Sequence, residues 1–287
     1  MLKNISVKIV KNWTNPELFR QLPNNSHNMW NNIQFTYDKN LETDYAIILN
    51  FIPKDSEEIL KNSKKIWAFM QEPCIDGINK WVETGHENFE RIYTHHIFNN
   101  ESKYIPTQTC LPWHVDKTFD ELINLKSIKK TKRISWIVSN LNYLPGHKLR
   151  MELHSEVIKQ QLPIDIFGKG INPIKDKFNG LASYKYSIAI ENSSSPHYWT
   201  EKISDCFLSY TVPIYYGCTN IGNYFPKDSF IQINPENTNE CINQILEIIE
   251  NDNYEKRLDS LIEARNLVLN KYQLFPFIVN EIKKDIL

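Results

Sequence analysis

Two short runs in the second half of the chain hold the residues best suited to chemistry. Glu191-Asn192-Ser193 is followed, after a polar turn, by Tyr198 and then by Thr200-Glu201-Lys202. Thr200 is suited to cap a helix that begins at Glu201, because its hydroxyl can accept from an N–H of the first turn. The open N–H groups of such a turn, together with the helix dipole, favour an anion. Lys202 stands where that dipole disfavours a cation. Glu201, at the first helical position, comes too early to close a capping box. Residues that break a local rule point to a local task, here contact with whatever ligand sits at the terminus. A further candidate lies far upstream. Glu72 follows the apolar run Lys65 to Met70 and precedes Pro73, which disfavours continuation into a helix.

The elements around these residues follow from periodicity. Tyr184 to Ile190 is an alternating, β-prone run, and Val212 to Gly217 reads as the next strand. Between them the apolar positions Ile203, Phe207 and Leu208 fit one helix face. The unit is therefore strand, loop, helix, strand, with the polar loop at the carboxyl end of the first strand. Open α/β sheets bind ligands there, and Glu72 ends its own strand in the same way. Ile5 to Val10, Ile33 to Tyr37, Tyr45 to Asn50, Phe89 to Thr94, Ile134 to Val138 and Ile164 to Gly168 read as further strands. Helices are expected near Glu17 to Leu22, after a Ser56 cap, from about Lys148 to Gln161, after a Thr238 cap, from Tyr254 onward and from Phe275 to Leu287. The basic run Lys126 to Arg133 reads as a solvated linker, with contact to an anionic membrane as its alternative. It places a boundary near residue 130 and divides the chain into 1–130 and 131–287.

Composition narrows the class. With 34 acidic against 33 basic residues, nothing calls for a nucleic-acid partner. The five cysteines are odd in number and lack a CxxC pair, which favours free thiols in a reducing compartment. The first thirty residues hold no apolar run long enough for a signal peptide or a membrane anchor, so a cytoplasmic protein is expected. His95-His96 would project to opposite faces of a strand, a poor arrangement for one metal ion.

The stretch from residue 184 to 233 resembles the donor-binding signature of the α-1,3-fucosyltransferases, glycosyltransferase family 10. The matching residues are Glu191-Asn192-Ser193, Tyr198, Thr200-Glu201-Lys202, Val212-Pro213-Ile214, Gly217 and Pro226-Lys227-Asp228-Ser229-Phe230-Ile231, in the family's order and spacing. His197 stands where Asp is usual, and Trp199 where a small aliphatic residue is usual. Ser139-Asn140, a loop and an Arg-bearing helix also follow the family's order. Arg150 is the best match to its arginine, with Lys148 as competitor.

The resemblance implies a GT-B architecture, with two Rossmann-like α/β domains facing across a cleft. Residues 1–130 would serve the acceptor and 131–287 the donor, and the last helix is able to return to the first domain. It implies inverting transfer of L-fucose from GDP-fucose to a glycan hydroxyl, α-1,3 to GlcNAc or Glc. The alternatives are another nucleotide sugar, or a binding protein without catalysis. Glu72 is implied as general base, with Glu83, Glu87 and Glu191 as substitutes. Arg150 and Lys202 would hold the diphosphate and Glu201 a ribose or sugar hydroxyl. Ser139, Asn140, Glu191, Asn192, Ser193, Tyr198 and Thr200 complete the donor-binding set. The chain has no Asp-x-Asp motif, which fits the family's metal-free chemistry, so neither metal nor cofactor is expected. The partners would be the nucleotide sugar, an oligosaccharide or glycolipid acceptor and, peripherally, a membrane.

Overall fold

The computed structural model describes residues 5–54, 57–73, 80–96, 98 and 101–287. The chain divides into two compact units. The first comprises residues 1–112, 118–121 and 272–287; the second comprises 113–117 and 122–271.

The first unit is built on seven strands: β1 (Ile5–Val10), β2 (Met29–Trp30), β3 (Ile33–Thr36), β4 (Thr43–Leu49), β5 (Ser63–Phe69), β6 (Arg91–Thr94) and β7 (Tyr104–Pro106). Their order is β2-β3-β1-β4-β5-β6-β7, parallel except for the β2–β3 pair. The central strands bury both faces, which is why they read as near-continuous apolar runs. Val7, Ile9, Ile47, Leu49, Trp67 and Phe69 face one core. Their alternates Val10, Ala46, Ile48, Ala68 and Met70 face the other. A short helix, α1 (Glu57–Lys61), contributes Ile59 to the second core. Ser56, read as its cap, lies outside the described residues.

The second unit carries β8 (Lys132–Ile137), β9 (Ile164–Phe167), β10 (Tyr184–Ile190), β11 (Val212–Tyr216) and β12 (Ile231–Gln232). They form a parallel sheet in the order β12-β11-β10-β8-β9. Its helices are α3 (Pro145–Lys159), α4 (Glu201–Leu208), α5 (Thr238–Glu250) and α6 (Tyr254–Leu267); α2 (Phe119–Asn124) begins in the first unit and ends in the second. The final helix, α7 (Leu274–Ile286), belongs to the first unit. Its stripe of Leu274, Phe275, Ile278, Val279 and Ile282 packs into the core of Val7, Phe35 and Trp67. Asp285, near its end, accepts from Tyr45 Oη and Lys65 Nζ at 2.7 Å each and from Arg91 at 2.5 Å.

Several expectations need correction. The 126–133 run is largely exposed, but Lys130 within it is not solvated. Lys130 Nζ donates to the Ala182 and Ser209 carbonyls and to Thr211 Oγ1, at 2.7 to 3.0 Å. Ser209 is the C-cap of α4, so this lysine satisfies a carbonyl at the end of that helix. Burial pulls its pKa down to about 7. Lys132 and Arg133 are held by Asp165 and Asp252. Residues 122–130 accordingly pack with the second unit rather than before a boundary near 130. The helix expected near Glu17 to Leu22 is a 3-10 turn, Leu18–Gln21. α3 begins at Pro145, whose fixed φ and missing N–H suit a first turn. α5 is capped by Asn237, not Thr238. His95 and His96 sit in a bend after β6, so their rings approach to 4.0 Å instead of facing apart.

Candidate donor site of the second unit

β10 delivers Glu191 to the carboxyl edge of its sheet. The residue is fully buried, and both carboxylate oxygens are occupied. Oε1 accepts from Thr200 N at 2.8 Å, and Oε2 from Thr200 Oγ1 at 2.7 Å and Lys202 Nζ at 3.2 Å. Burial raises the pKa of Glu191, and Lys202 opposes the rise. Gly217, at the end of β11, permits this packing. Its φ is +155°, and a Cβ there would lie 2.3 Å from Glu191 Cγ. Glu191 therefore positions the entry into α4 and the lysine on its first turn.

Thr200 caps α4 as the sequence indicates, with its hydroxyl accepting from Lys202 N at 3.3 Å. Glu201, almost buried, lies 3.0 Å from Lys177 Nζ, 3.6 Å from His114 Nδ1 and 3.8 Å from Lys202 Nζ. Burial alone would raise its pKa, but Lys177 and Lys202 outweigh that and hold it well below the usual carboxylate range. One turn further, Asp205 pairs with Lys177 at 3.5 Å and accepts from the backbone N–H groups of His114 and Val115. Burial raises its pKa. Lys177, His114 and Asp205 were not singled out in the sequence. Asp205 follows Glu201 by one helical turn and was within reach of a spacing argument. Lys177 opens a short 3-10 turn, Lys177–Gly180, and His114 lies outside any helix or strand, so neither left a periodic signal.

α3 supplies the second cation. Arg150 is buried, and its Nη1 donates to Asn192 Oδ1 at 2.8 Å. Lys148, the competing candidate, is exposed. Gly146 brings the start of α3 against the signature loop, since a Cβ there would lie 2.1 Å from the Asn192 carbonyl oxygen. Tyr198 is buried and interacts electrostatically with Arg150. Thus Glu191, Asn192, Tyr198, Thr200, Glu201, Lys202 and Arg150 are brought together. Ser139 is half-buried. Asn140 lies over the Gly170 turn, donating its N–H to the Lys169 carbonyl at 3.2 Å. Ser193 is half-buried in the loop.

The two departures from the signature brace this loop. His197, at φ 65°, donates its N–H to Asn220 Oδ1 at 2.7 Å, and its ring meets Tyr224 Oη at 2.5 Å. Trp199 stacks edge-on against Tyr224 and Phe225. In the first unit, Glu72 follows β5 and is exposed, and its backbone carbonyl lies 3.0 Å from His96 Nε2.

The chemistry of the second unit is that of an anion site. A guanidinium and an ammonium stand beside the starts of two helices at one sheet edge, each fixed by a residue of the same loop. The fold is shared with solved glycosyltransferases. An alpha1,3-fucosyltransferase structure aligns with a TM-score of 0.58 at 18% identity, covering 98% of this chain and 89% of that one. A glycosyltransferase from Rickettsia africae aligns at 0.55 and 13% identity, covering 85% and 77%. These two α/β units are those of a GT-B glycosyltransferase fold.

Residues 127–258 match the model of the glycosyltransferase family 10 (fucosyltransferase) C-terminal domain. That stretch, just under half of the chain, lies within the second unit and contains the Glu191 to Lys202 loop. Among curated proteins, a 3-galactosyl-N-acetylglucosaminide 4-alpha-L-fucosyltransferase of Bos taurus is 26% identical over 154 residues, 52% of this chain and 40% of that protein. The 4-galactosyl-N-acetylglucosaminide 3-alpha-L-fucosyltransferase 9 of Homo sapiens is 31% identical over 129 residues, 43% of this chain and 35% of that one. The matches span well under half the length of these relatives. Among the described residues, no helix is long and apolar enough to cross a membrane.

Proposed function

We propose that the chain is an inverting glycosyltransferase that moves L-fucose from GDP-fucose to a hydroxyl of an oligosaccharide or glycolipid, α-1,3 to GlcNAc or Glc. The observation that carries this is the pairing of Arg150 with Asn192 and of Lys202 with Glu191 and Thr200. Two loop-anchored cations at helix starts suit the diphosphate of a nucleotide sugar, whose negative charge grows as the sugar leaves. Support comes from the relatives named above, and from an alpha1,3-fucosyltransferase solved with GDP and with GDP-fucose. In this reading Glu201 holds a ribose or sugar hydroxyl, its charge maintained by Lys177 and Lys202. Glu72 takes the proton of the acceptor hydroxyl as that oxygen attacks the anomeric carbon from the side opposite the diphosphate. Arg150 and Lys202 do the electrostatic work without a metal ion, and the buried free thiols Cys110, Cys206, Cys218 and Cys241 suit a cytoplasmic setting.

A second reading keeps the chemistry and changes the donor sugar. His197 and Trp199 brace the loop through Tyr224 with an imidazole and an edge-on indole, side chains that the family's usual Asp and small aliphatic residue do not supply. Calorimetric titration with GDP-fucose, GDP-mannose and a UDP-sugar separates the two readings, followed by a transfer assay in excess EDTA. Binding and turnover restricted to GDP-fucose are expected, with little loss in EDTA. Preference for another donor selects the second reading. Activity that vanishes in EDTA and returns with Mg²⁺ or Mn²⁺ removes the metal-free assignment.

A further inference from the structure

His147 lies on the first turn of α3, one turn before Arg150. Its side chain is only 3% exposed. Its Nδ1 has no hydrogen-bond partner among the described residues, and neither has Arg150 Nε. Buried polar nitrogens without partners are uncommon, and each asks for a reason. The start of α3 also lacks a side-chain cap, because Leu144 occupies the N-cap. Gly146 presses this turn against the Asn192 backbone. Two buried, unpartnered nitrogens and an uncapped 15-residue helix thus meet beside the signature loop.

The charged groups acting on the imidazole are Arg150 from its own helix and Lys202 from α4. The ring of Tyr143, from the preceding loop, meets it edge-on at 4.7 Å. Burial, then Arg150 and Lys202, lower its pKa to about 4, so the free protein carries a neutral imidazole here at pH 5 to 7. An anion set between these cations reverses their effect on the ring, and a neutral histidine then gains a proton. We propose that His147 joins Arg150 and Lys202 in holding the donor diphosphate, as an imidazole that takes its proton from solvent when the nucleotide sugar binds. This rests on the donor reading above and adds to it a ligand outside the signature and a proton linked to binding.

GDP-fucose is the suitable probe, because its diphosphate is a diester and holds no group titrating near neutrality. Titrating the full chain at pH 6 in buffers of differing ionisation enthalpy reads proton uptake directly. The wild type is expected to take up a substantial fraction of one proton, and to bind several-fold more tightly at pH 5.5 than at pH 7.5. His147→Gln retains a hydrogen-bonding side chain but cannot titrate in this range. It should bind with no proton uptake and little pH dependence, whereas His147→Ala should bind about tenfold more weakly at pH 6. His114, beside Glu201, is the other histidine of the cluster, and uptake that persists in His147→Gln overturns the assignment. So does wild-type binding with no uptake between pH 5.5 and 7.5, which leaves the donor reading intact. Absence of any GDP-fucose binding by the wild type overturns both. Should the alanine variant not fold, proton uptake by the wild type and the glutamine variant decides.

Discussion

Arg150 and Lys202 differ in how they are held. Arg150 is buried and bonded to one amide. Lys202 is about one-fifth exposed and lies among Glu191, Thr200 and Glu201. Removing either takes away a charge-assisted contact worth about 1.5–3 kcal/mol. Arg150→Ala and Lys202→Ala should therefore weaken GDP binding by roughly ten- to a hundredfold. GDP affinity unchanged in both variants would show that the diphosphate lies elsewhere. Glu72 calls for a different readout. Glu72→Gln keeps its shape but cannot accept a proton, so GDP binding should stay intact while turnover falls by about 10²–10⁴. Both quantities are measured on one preparation. Near-wild-type turnover moves the base to Glu83, Glu87 or Glu191, and lost GDP binding gives Glu72 a structural role.

At the scale of elements, the site is two helix starts meeting one loop at the end of β10. Thr200, Glu191 and Lys202 fix the first, and Gly146, Arg150 and Asn192 fix the second. The first was legible in the sequence, because cap residue, polar turn and apolar helix face are neighbours in the chain. The second was legible only in part. Arg150 was found through its place in the helix, but the close approach at Gly146 joins residues far apart in sequence. Gly146→Ala tests this apposition. A methyl 2.1 Å from a carbonyl oxygen cannot be accommodated without moving α3, and overpacking of this kind costs about 1–3 kcal/mol. GDP affinity should fall by at least several-fold and the thermal midpoint should drop. A variant matching wild type in both would show that the helix start tolerates a shift.

At the scale of the molecule, the last residues of the chain complete the first unit. Each buried apolar side chain of α7 contributes about 1.5–3 kcal/mol to packing as an upper value. Asp285 adds a polar clamp on Tyr45, Lys65 and Arg91. Burial would raise the pKa of Asp285, but the Lys65 and Tyr45 hydrogen bonds with the Arg91 charge hold it below the ordinary aspartate value. A depressed carboxylate stabilises the fold above its unfolded pKa, and that stabilisation is lost as pH falls through the folded value. Asp285→Asn should lower unfolding stability by about 1.5–3 kcal/mol at pH 7. The difference from wild type should shrink below about pH 4. Denaturant melts across pH read both, and a difference independent of pH would assign the loss to packing.

The sequence by itself determined what depends on neighbours in the chain. Period-two runs became β1 and β10, the continuous apolar run Tyr45 to Asn50 became β4, and the Glu191 to Lys202 order became a strand end, a loop and a capped helix. Those outcomes follow from alternation, cap chemistry and turn residues acting over a few positions. Tertiary structure decided what each charge meets. Lys130 looked like one of several solvated lysines and became the partner of the Ser209 carbonyl at the end of α4 and of the Ala182 carbonyl before β10. Lys177 and His114 became the companions of Glu201, and Asp205 tied the His114 segment to α4. His147 became a buried neutral ring beside two cations. An ionic partner from a distant loop leaves no period in the sequence, and the free energy of a charge depends on burial and on what lies within a few ångströms. Only the folded chain sets those distances.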